Sequence, residues 1–176
     1  MKKKLLGDDR RAQLLHILKT SGKPVTGAEL ARIANVSRQV IVGDITLLKA
    51  KHEPIVATAQ GYMYFHTSST QQNSERIVAC LHGPKRAEEE LNLLVDLGIT
   101  VKDVTIEHPV YGDLTASIRV SSRKEVKQFL DKIVTTNAAF LSELTDGIHL
   151  HTLIAPSEDL LDEAEEALSN AGLLVQ

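Results

Sequence analysis

The sequence predicts an α+β protein with two units, a small basic one followed by a larger acidic one. Residues 1–66 carry 11 Lys and Arg against 5 Asp and Glu, whereas residues 67–176 carry 9 against 18. A polar run, HTSSTQQNS, separates two stretches with regular apolar patterns. We therefore expect domains at 1–66 and 75–176, joined by a linker at 67–74.

In the first unit the sequence predicts three short helices and a hairpin. The apolar spacing predicts helices over 9–20, 26–34 and 37–51. Thr26 and Glu29 form a capping box at the start of the second helix, and Ser37 is placed to cap the third. Two β-prone runs at 55–58 and 62–65 predict a hairpin. Three helices with a short turn and a following hairpin are the pattern of a winged helix-turn-helix.

The third helix has a face that suits the major groove of DNA. A helical wheel places an inner set at Val40, Ile41, Asp44, Leu47 and Leu48. The predicted DNA-binding set is Ser37, Arg38, Gln39, Val42, Thr46 and Lys49. Arg38 and Gln39 lie in the first turn, where Arg can pair with guanine and Gln with adenine. A solvated basic surface or a protein-interaction module has similar features, but charge, helix spacing and hairpin together favour double-stranded DNA.

Beyond the linker, alternating strand and helix patterns predict an antiparallel-sheet α+β sandwich with helices on one face. The predicted strands cover 77–82, 100–106 and 114–120, followed by a hairpin of 141–145 and 148–154 about Asp146-Gly147. The predicted helices cover 84–97, 122–134 and 157–171.

The sequence also predicts a compartment. No apolar stretch approaches the ~18 residues that a membrane span needs, so no membrane partner is expected. The basic start is not followed by a secretory apolar region. A single cysteine, Cys80, excludes an internal disulfide and fits a reducing environment, so we expect a cytoplasmic protein.

Histidines and one carboxylate in the second unit indicate a metal site. Residues i and i+2 of a strand share a face, so His149 and His151 present two imidazoles side by side, while Ile148 and Leu150 are predicted to bury the opposite face. His82 ends the first strand of this unit. Each histidine alone is more often an ordinary core or surface side chain, but the combination favours metal binding.

The helical period indicates which carboxylate belongs to the predicted metal site. Of Glu88, Glu89 and Glu90, only Glu90 falls inside the apolar stripe of the predicted helix 84–97. A buried carboxylate has to be paired or to bind a cation. Three imidazoles and one carboxylate suit zinc, nickel or iron better than calcium or magnesium. Cys80 shares the strand face of His82 and is predicted to be a small core residue.

The combination resembles a known family, the niacin-responsive transcriptional repressors of NAD biosynthesis, whose effector part is the three-histidine (3H) domain. The matching segments are VSRQVIVGDI at 36–45, CLHGPKRAEEEL at 80–91, EHPVYGDL at 107–114 and LTDGIHLHTL at 144–153. The first is common to many winged helices, whereas the other three together are specific. Gly43 departs from the longer polar side chain that is more usual at its position.

The resemblance implies a homodimer, not an enzyme, that binds operator DNA when nicotinic acid is present and represses NAD-synthesis and niacin-uptake genes. It also implies one divalent transition metal per chain, nickel or zinc, on His82, Glu90, His149 and His151. We further expect the metal to be part of the nicotinate pocket, with His108 and Tyr111 lining it. Two alternatives stay open: a metalloenzyme that acts on a nicotinate derivative with Glu90 as base, and a repressor that responds to the metal itself.

Overall fold

The computed structural model of the protein describes residues 7–65 and 73–176. Its internal contacts divide the chain into two units, Met1–Thr70 and Gln71–Gln176. Most of the predicted linker, 67–72, lies outside the described residues. In the described part of the chain, no helix is both long and apolar enough to cross a membrane.

The first unit has the three helices and the hairpin that the sequence predicts. Its elements are α1 (Gly7–Ser21), α2 (Gly27–Ala34), α3 (Arg38–Ala50), β1 (Ile55–Thr58) and β2 (Gly61–Tyr64), the two strands pairing antiparallel. The Thr26 side chain accepts a hydrogen bond from the Glu29 backbone N–H at 3.1 Å, and Ser37 caps α3 in the same way. Thr26 and Ser37 are therefore confirmed as the N-cap residues, although of the predicted capping box only the hydrogen bond to the Thr26 side chain is present.

The hairpin is attached to the helices by a backbone pairing that requires glycine. Tyr62 in β2 exchanges two backbone hydrogen bonds with Val25, which precedes α2. At Gly61 the φ angle is +135°, and an added Cβ would lie 2.5 Å from the Val25 carbonyl oxygen. Any side chain at position 61 would therefore push the hairpin away from the helices.

The inner face of α3 is narrower than the helical wheel predicts. Its buried residues are Ile41, Asp44, Ile45 and Leu48. Val40 and Leu47, which we expected on the inner side, are exposed. The spacing i, i+3, i+4, i+7 of the buried set explains the difference, since it centres the packed stripe between 41 and 48 and leaves 40 and 47 at its edges.

The second unit is a four-stranded antiparallel sheet with helices on one face, as predicted. Its strands are β3 (Ser74–Leu81), β4 (Thr100–His108), β5 (Gly112–Ala116) and β6 (Ile148–Ala155), in the spatial order β3-β6-β4-β5. Its helices are α4 (Ala87–Asp96), α5 (Arg123–Thr136) and α6 (Glu158–Asn170). A 3₁₀ turn at Pro84–Arg86 leads into α4. The core lies between the helices and one sheet face, where Leu153 and Leu168 are fully buried.

Two strand predictions in this unit are wrong. The segment Leu141–Thr145 forms a 3₁₀ turn rather than a hairpin strand, because β6 already pairs with β3 on one edge and β4 on the other. β5 ends at Ala116, and Val120 makes only an isolated bridge to Val101. In both places the positions of other strands in the sheet determine whether a β-prone segment finds a partner.

The sheet face that points away from the helices carries a patch of apolar side chains. We call this patch the outer apolar face; its residues are Ile77, Ala79, Leu81, Ile148 and Leu150. The β3–β6 register sets 79 opposite 150 and 81 opposite 148. Ile148 and Leu150 are 53% and 39% exposed, so the prediction that they are buried is wrong for the single chain.

Candidate metal centre and DNA-binding face

His149 and His151 lie on the helix-facing side of β6, as strand alternation predicts. Both are buried, and their ring centroids are 4.8 Å apart with the planes nearly perpendicular. Their neighbours along the strand, Ile148 and Leu150, point to the other face. Two imidazoles therefore enter the same interior space from one strand.

His82 joins them because the chain comes close to β6 just after β3 ends. Its backbone N–H donates to the Gly147 carbonyl at 3.3 Å, and its ring centroid lies 4.8 Å from that of His149. An added Cβ on Gly147, whose φ is +93°, would lie 2.5 Å from the His82 carbonyl oxygen. Gly147 therefore allows the approach that brings the third imidazole to the cluster.

Glu90 completes the cluster from α4. One oxygen, Oε2, lies 2.8 Å from the Nε2 of His82, 3.2 Å from that of His151 and 3.4 Å from that of His149. Glu90 is buried, whereas Glu88 and Glu89 are exposed, as the apolar stripe of this helix predicts. The three predicted histidine ligands thus surround one carboxylate oxygen of the fourth predicted ligand, Glu90.

The orientation of the three rings is set by backbone carbonyl groups. His82 Nδ1 lies 3.1 Å from the Gly83 carbonyl oxygen, His149 Nδ1 lies 2.8 Å from that of Gly147, and His151 Nδ1 lies 2.7 Å from that of Asp103. The Asp103 carbonyl is presented at a register shift in β4.

Because a carbonyl oxygen can only accept, each Nδ1 carries the hydrogen, and a neutral ring then points an Nε2 lone pair at Glu90. Lone pairs facing a carboxylate repel it unless protons or a cation lie between them. The donor set, three imidazole nitrogens and one carboxylate oxygen with backbone groups orienting the rings, fits a divalent transition metal.

The charges in the cluster depend on one another. Burial raises the pKa of Glu90, but the three histidines together outweigh burial and hold it well below its usual value. Burial lowers the pKa of His82 and of His151, but the Glu90 carboxylate outweighs this and raises both. In the absence of a metal, Glu90 therefore favours protonation of His82 and His151, at the place where a cation would bind.

A cavity of about 220 Å³ lies beside the cluster. His82, Glu90, His149 and His151 form one side of it. Its other walls are almost entirely apolar and include two aromatic rings, Phe129 and Phe140, whose centroids are 6.4 Å apart. The cavity can accept a small molecule with an apolar ring and one group that contacts the cluster.

His108 and Tyr111, which were predicted to line the effector pocket, do not line this cavity. They lie where the turn joins β4 to β5, with their rings 5.0 Å apart and Tyr111 74% exposed. The cavity touches the same hairpin at Val104 and Ala116. Four residues along a strand span about 13 Å, which places the turn outside the pocket.

The predicted DNA-binding set lies on the exposed side of α3 and its cap. All six members are exposed: Ser37, Arg38, Gln39, Val42, Thr46 and Lys49. Thr46 donates its hydroxyl to the Val42 carbonyl at 2.8 Å, so that group is already engaged within the helix. An added Cβ on Gly43 would meet nothing within 4 Å.

On its opposite side, α3 is held against α1 by an ion pair that the sequence pattern could not identify. Asp44 is buried, and its carboxylate accepts hydrogen bonds from Arg10 and Arg11 of α1 at distances between 2.5 and 3.2 Å. The helical wheel places Asp44 on the inner side, but its partners are more than thirty residues away in sequence. The pair joins α3 to α1.

Comparison with known proteins assigns a family to each unit. Residues 10–63 match the model of an HTH domain, and residues 75–176 match the model of the 3H domain. The chain is 64% identical over 174 residues to "Transcription repressor NadR" of Bacillus subtilis, covering 98% of this chain and 97% of that protein. It is 38% identical over 176 residues to "Probable transcription repressor NiaR" of Thermotoga maritima, covering 100% and 99%. Both relatives are named as repressors, not as enzymes.

Proposed function

Because this chain belongs to the 3H-domain family and is similar to two transcription repressors over nearly its whole length, we propose that it represses transcription by binding operator DNA. Its proposed targets are genes of NAD biosynthesis and niacin uptake, with nicotinic acid as co-repressor and the cytoplasm as its compartment. One observation carries the sensing part of the proposal. Three histidine Nε2 atoms and the Glu90 carboxylate converge at the wall of an apolar cavity.

The proposed cofactor is one divalent transition metal per chain, nickel or zinc. Its proposed ligands are His82, Glu90, His149 and His151. When bound, the metal supplies a coordination position for the ring nitrogen or the carboxylate of nicotinate. The chain itself supplies the rest of the pocket: Phe129 and Phe140 offer aromatic surface to a pyridine ring, and the apolar walls exclude water around it.

The experiment that tests the sensing proposal is an operator gel-shift titration with and without nicotinate and chelator. The wild type should bind operator more tightly when both metal and nicotinate are present. The His149→Ala/His151→Ala variant should lose its metal content and its nicotinate response together. His108→Ala is the matched control, since His108 lies on the β4–β5 turn outside the cavity, and it should keep both.

Two other outcomes would change the conclusion. A double variant that still responds to nicotinate contradicts the proposed site. An operator affinity that follows metal and ignores nicotinate identifies a metal-responsive repressor instead. The apolar cavity beside the cluster favours the organic effector, because a metal alone needs no such space.

The DNA contact is proposed to run through the exposed face of α3. Arg38→Ala should cost about 1–3 kcal/mol of operator binding and relax the preference at one base pair. Lys49→Ala should weaken binding to all sequences and reduce the slope of log affinity against log salt by about one. If both variants bind operator as the wild type does, the DNA-binding surface lies elsewhere.

The proposed assembly is a homodimer, whose two recognition helices would enter successive major grooves about 34 Å apart. The outer apolar face supports this, because single chains rarely expose a continuous apolar patch of this kind without a partner. Replacing Ile77 and Leu150 by Glu should shift the sedimentation coefficient from dimer to monomer. Val134→Glu, at an apolar site 78% exposed on α5, is the control and should leave the dimer intact. A dimer that survives the double substitution excludes this face.

A further inference from the structure

Cys80 lies beside the proposed metal ligands, and the sequence interpretation treated it as a core residue. It sits on β3 directly opposite His149 on β6, and it is completely buried. Its sulfur, a Glu90 carboxylate oxygen and a His149 ring nitrogen all lie within 4.8 Å of one another. A sulfur donor, an oxygen donor and a nitrogen donor therefore face one small space.

The second carboxylate oxygen of Glu90 points to an occupant of that space. All three histidines approach Oε2. Oε1 is also buried and makes no well-formed hydrogen bond with the residues that the structure describes, although the Glu90 carboxylate lies close enough to the Cys80 thiol to raise the pKa of that thiol. A buried carboxylate oxygen without a partner is costly, and a cation is the partner that suits it.

We propose that Cys80 is a fifth protein ligand of the metal site. This inference rests on the proposed function, which places a metal on the three histidines and Glu90. When the metal–sulfur bond forms, the thiol proton leaves to solvent and the sulfur binds as thiolate. A thiolate among the ligands favours zinc, nickel or cobalt over magnesium or manganese, so Cys80 contributes to the choice of metal.

The test uses Co²⁺ as the probe on the full chain. Because the chain has a single cysteine, a thiolate-to-cobalt charge-transfer band in the near ultraviolet reports on Cys80 alone. The wild type should show this band in proportion to bound cobalt. Cys80→Ser and Cys80→Ala should bind cobalt without the band and on the order of tenfold more weakly. Val78→Ala, at a buried site on the same strand face, is the control and should keep the band.

Equilibrium dialysis separates failure of this inference from failure of the proposed function. Cobalt bound by the wild type without the band overturns the sulfur ligand and leaves the metal proposal standing. A wild type that binds no cobalt, zinc or nickel overturns both. The spectrum of the wild type decides the question by itself, so the test holds even if a Cys80 variant does not fold.

Discussion

Among the residues that the structure describes, each of the two units buries one helical carboxylate, but the partners of the two carboxylates differ in kind. Asp44 on α3 and Glu90 on α4 are 3% and 2% exposed. Asp44 meets two guanidinium groups, Arg10 and Arg11, which stay charged at every physiological pH. Glu90 meets three imidazoles, whose charge depends on protons or on a metal. The first arrangement is permanent, whereas the second changes with its surroundings.

The difference follows from the cost of burying charge. Removing a carboxylate from water is offset only when oppositely charged groups stay close to it. In the DNA-binding unit the two arginines provide that charge in all conditions, so the orientation of α3 does not depend on a ligand. In the 3H unit the compensating charge can come from bound protons or a bound cation. That dependence suits the sensing role proposed for this unit.

The largest expected effect comes from removing the charge of Glu90. Glu90→Gln should weaken metal binding about 100-fold or more, because it leaves three neutral imidazoles without an anionic ligand. Equilibrium dialysis with zinc or nickel measures the affinity. Glu89→Gln is the control on the neighbouring, exposed position and should bind metal normally. An unchanged affinity in Glu90→Gln would show that Glu90, like Asp44, is a structural residue and not a metal ligand.

The second-largest effect is expected at Asp44, whose ion pairs with Arg10 and Arg11 stay charged at physiological pH. Asp44→Ala should lower the free energy of unfolding by about 2 kcal/mol, since it removes the buried carboxylate that two partly buried guanidinium groups share. Urea unfolding of the full chain, followed by circular dichroism, measures this loss. Operator affinity should fall, whereas metal content should not change. Asp8→Ala, which removes an exposed partner of Arg11, is the control and should unfold as the wild type does.

The pH dependence of stability should distinguish the Glu90 cluster from the Asp44 ion pair. In the metal-free protein, the raised pKa values of His82 and His151 stabilise the fold below about pH 6.5, and this contribution is lost as pH rises through the raised values. The lowered pKa of Glu90 stabilises the fold above about pH 4.5 and is lost as pH falls.

Thermal unfolding with and without metal checks this prediction. Stabilisation by zinc or nickel should grow between about pH 6 and pH 8, because protons compete with the metal for the imidazoles. The loss caused by Asp44→Ala should stay constant over the same range. A metal effect that does not vary with pH would contradict a histidine site.

The smallest expected effect is at Gly43 on the exposed side of α3. Gly43→Ala should raise the free energy of unfolding by up to about 1 kcal/mol, because the added methyl group meets nothing within 4 Å and alanine favours the helix. Operator affinity should stay within about twofold of the wild type, an energy difference below 0.5 kcal/mol or so. A marked loss of affinity would show that DNA approaches the backbone closely at this position.

Much of both sites could be predicted from local pattern. The two-residue spacing of a strand places His149 and His151 on one face, and the helical period separates Glu90 from Glu88 and Glu89. The same period identifies the exposed side of α3, and Ser37 marks where that helix begins. These features are decided within a few residues of the chain, so no knowledge of distant contacts is needed.

Other features depend on which segments become neighbours, and the sequence pattern does not contain that information. The order β3-β6-β4-β5 leaves Leu141–Thr145 without a strand partner. It also sets Cys80 opposite His149 and carries the turn at His108 away from the cavity. Asp44 finds Arg10 only when α1 packs against α3.

The sequence by itself determined which side chains share a face, which positions begin helices and which unit carries the positive charge. Only the tertiary structure decided that a thiol and an unpaired carboxylate oxygen meet the histidines, and that an apolar sheet face remains exposed. The physical reason is that faces and caps follow from backbone geometry over one or two turns. Contacts between distant segments follow from the packing of the whole unit, which minimises exposed apolar surface and unpaired polar groups together.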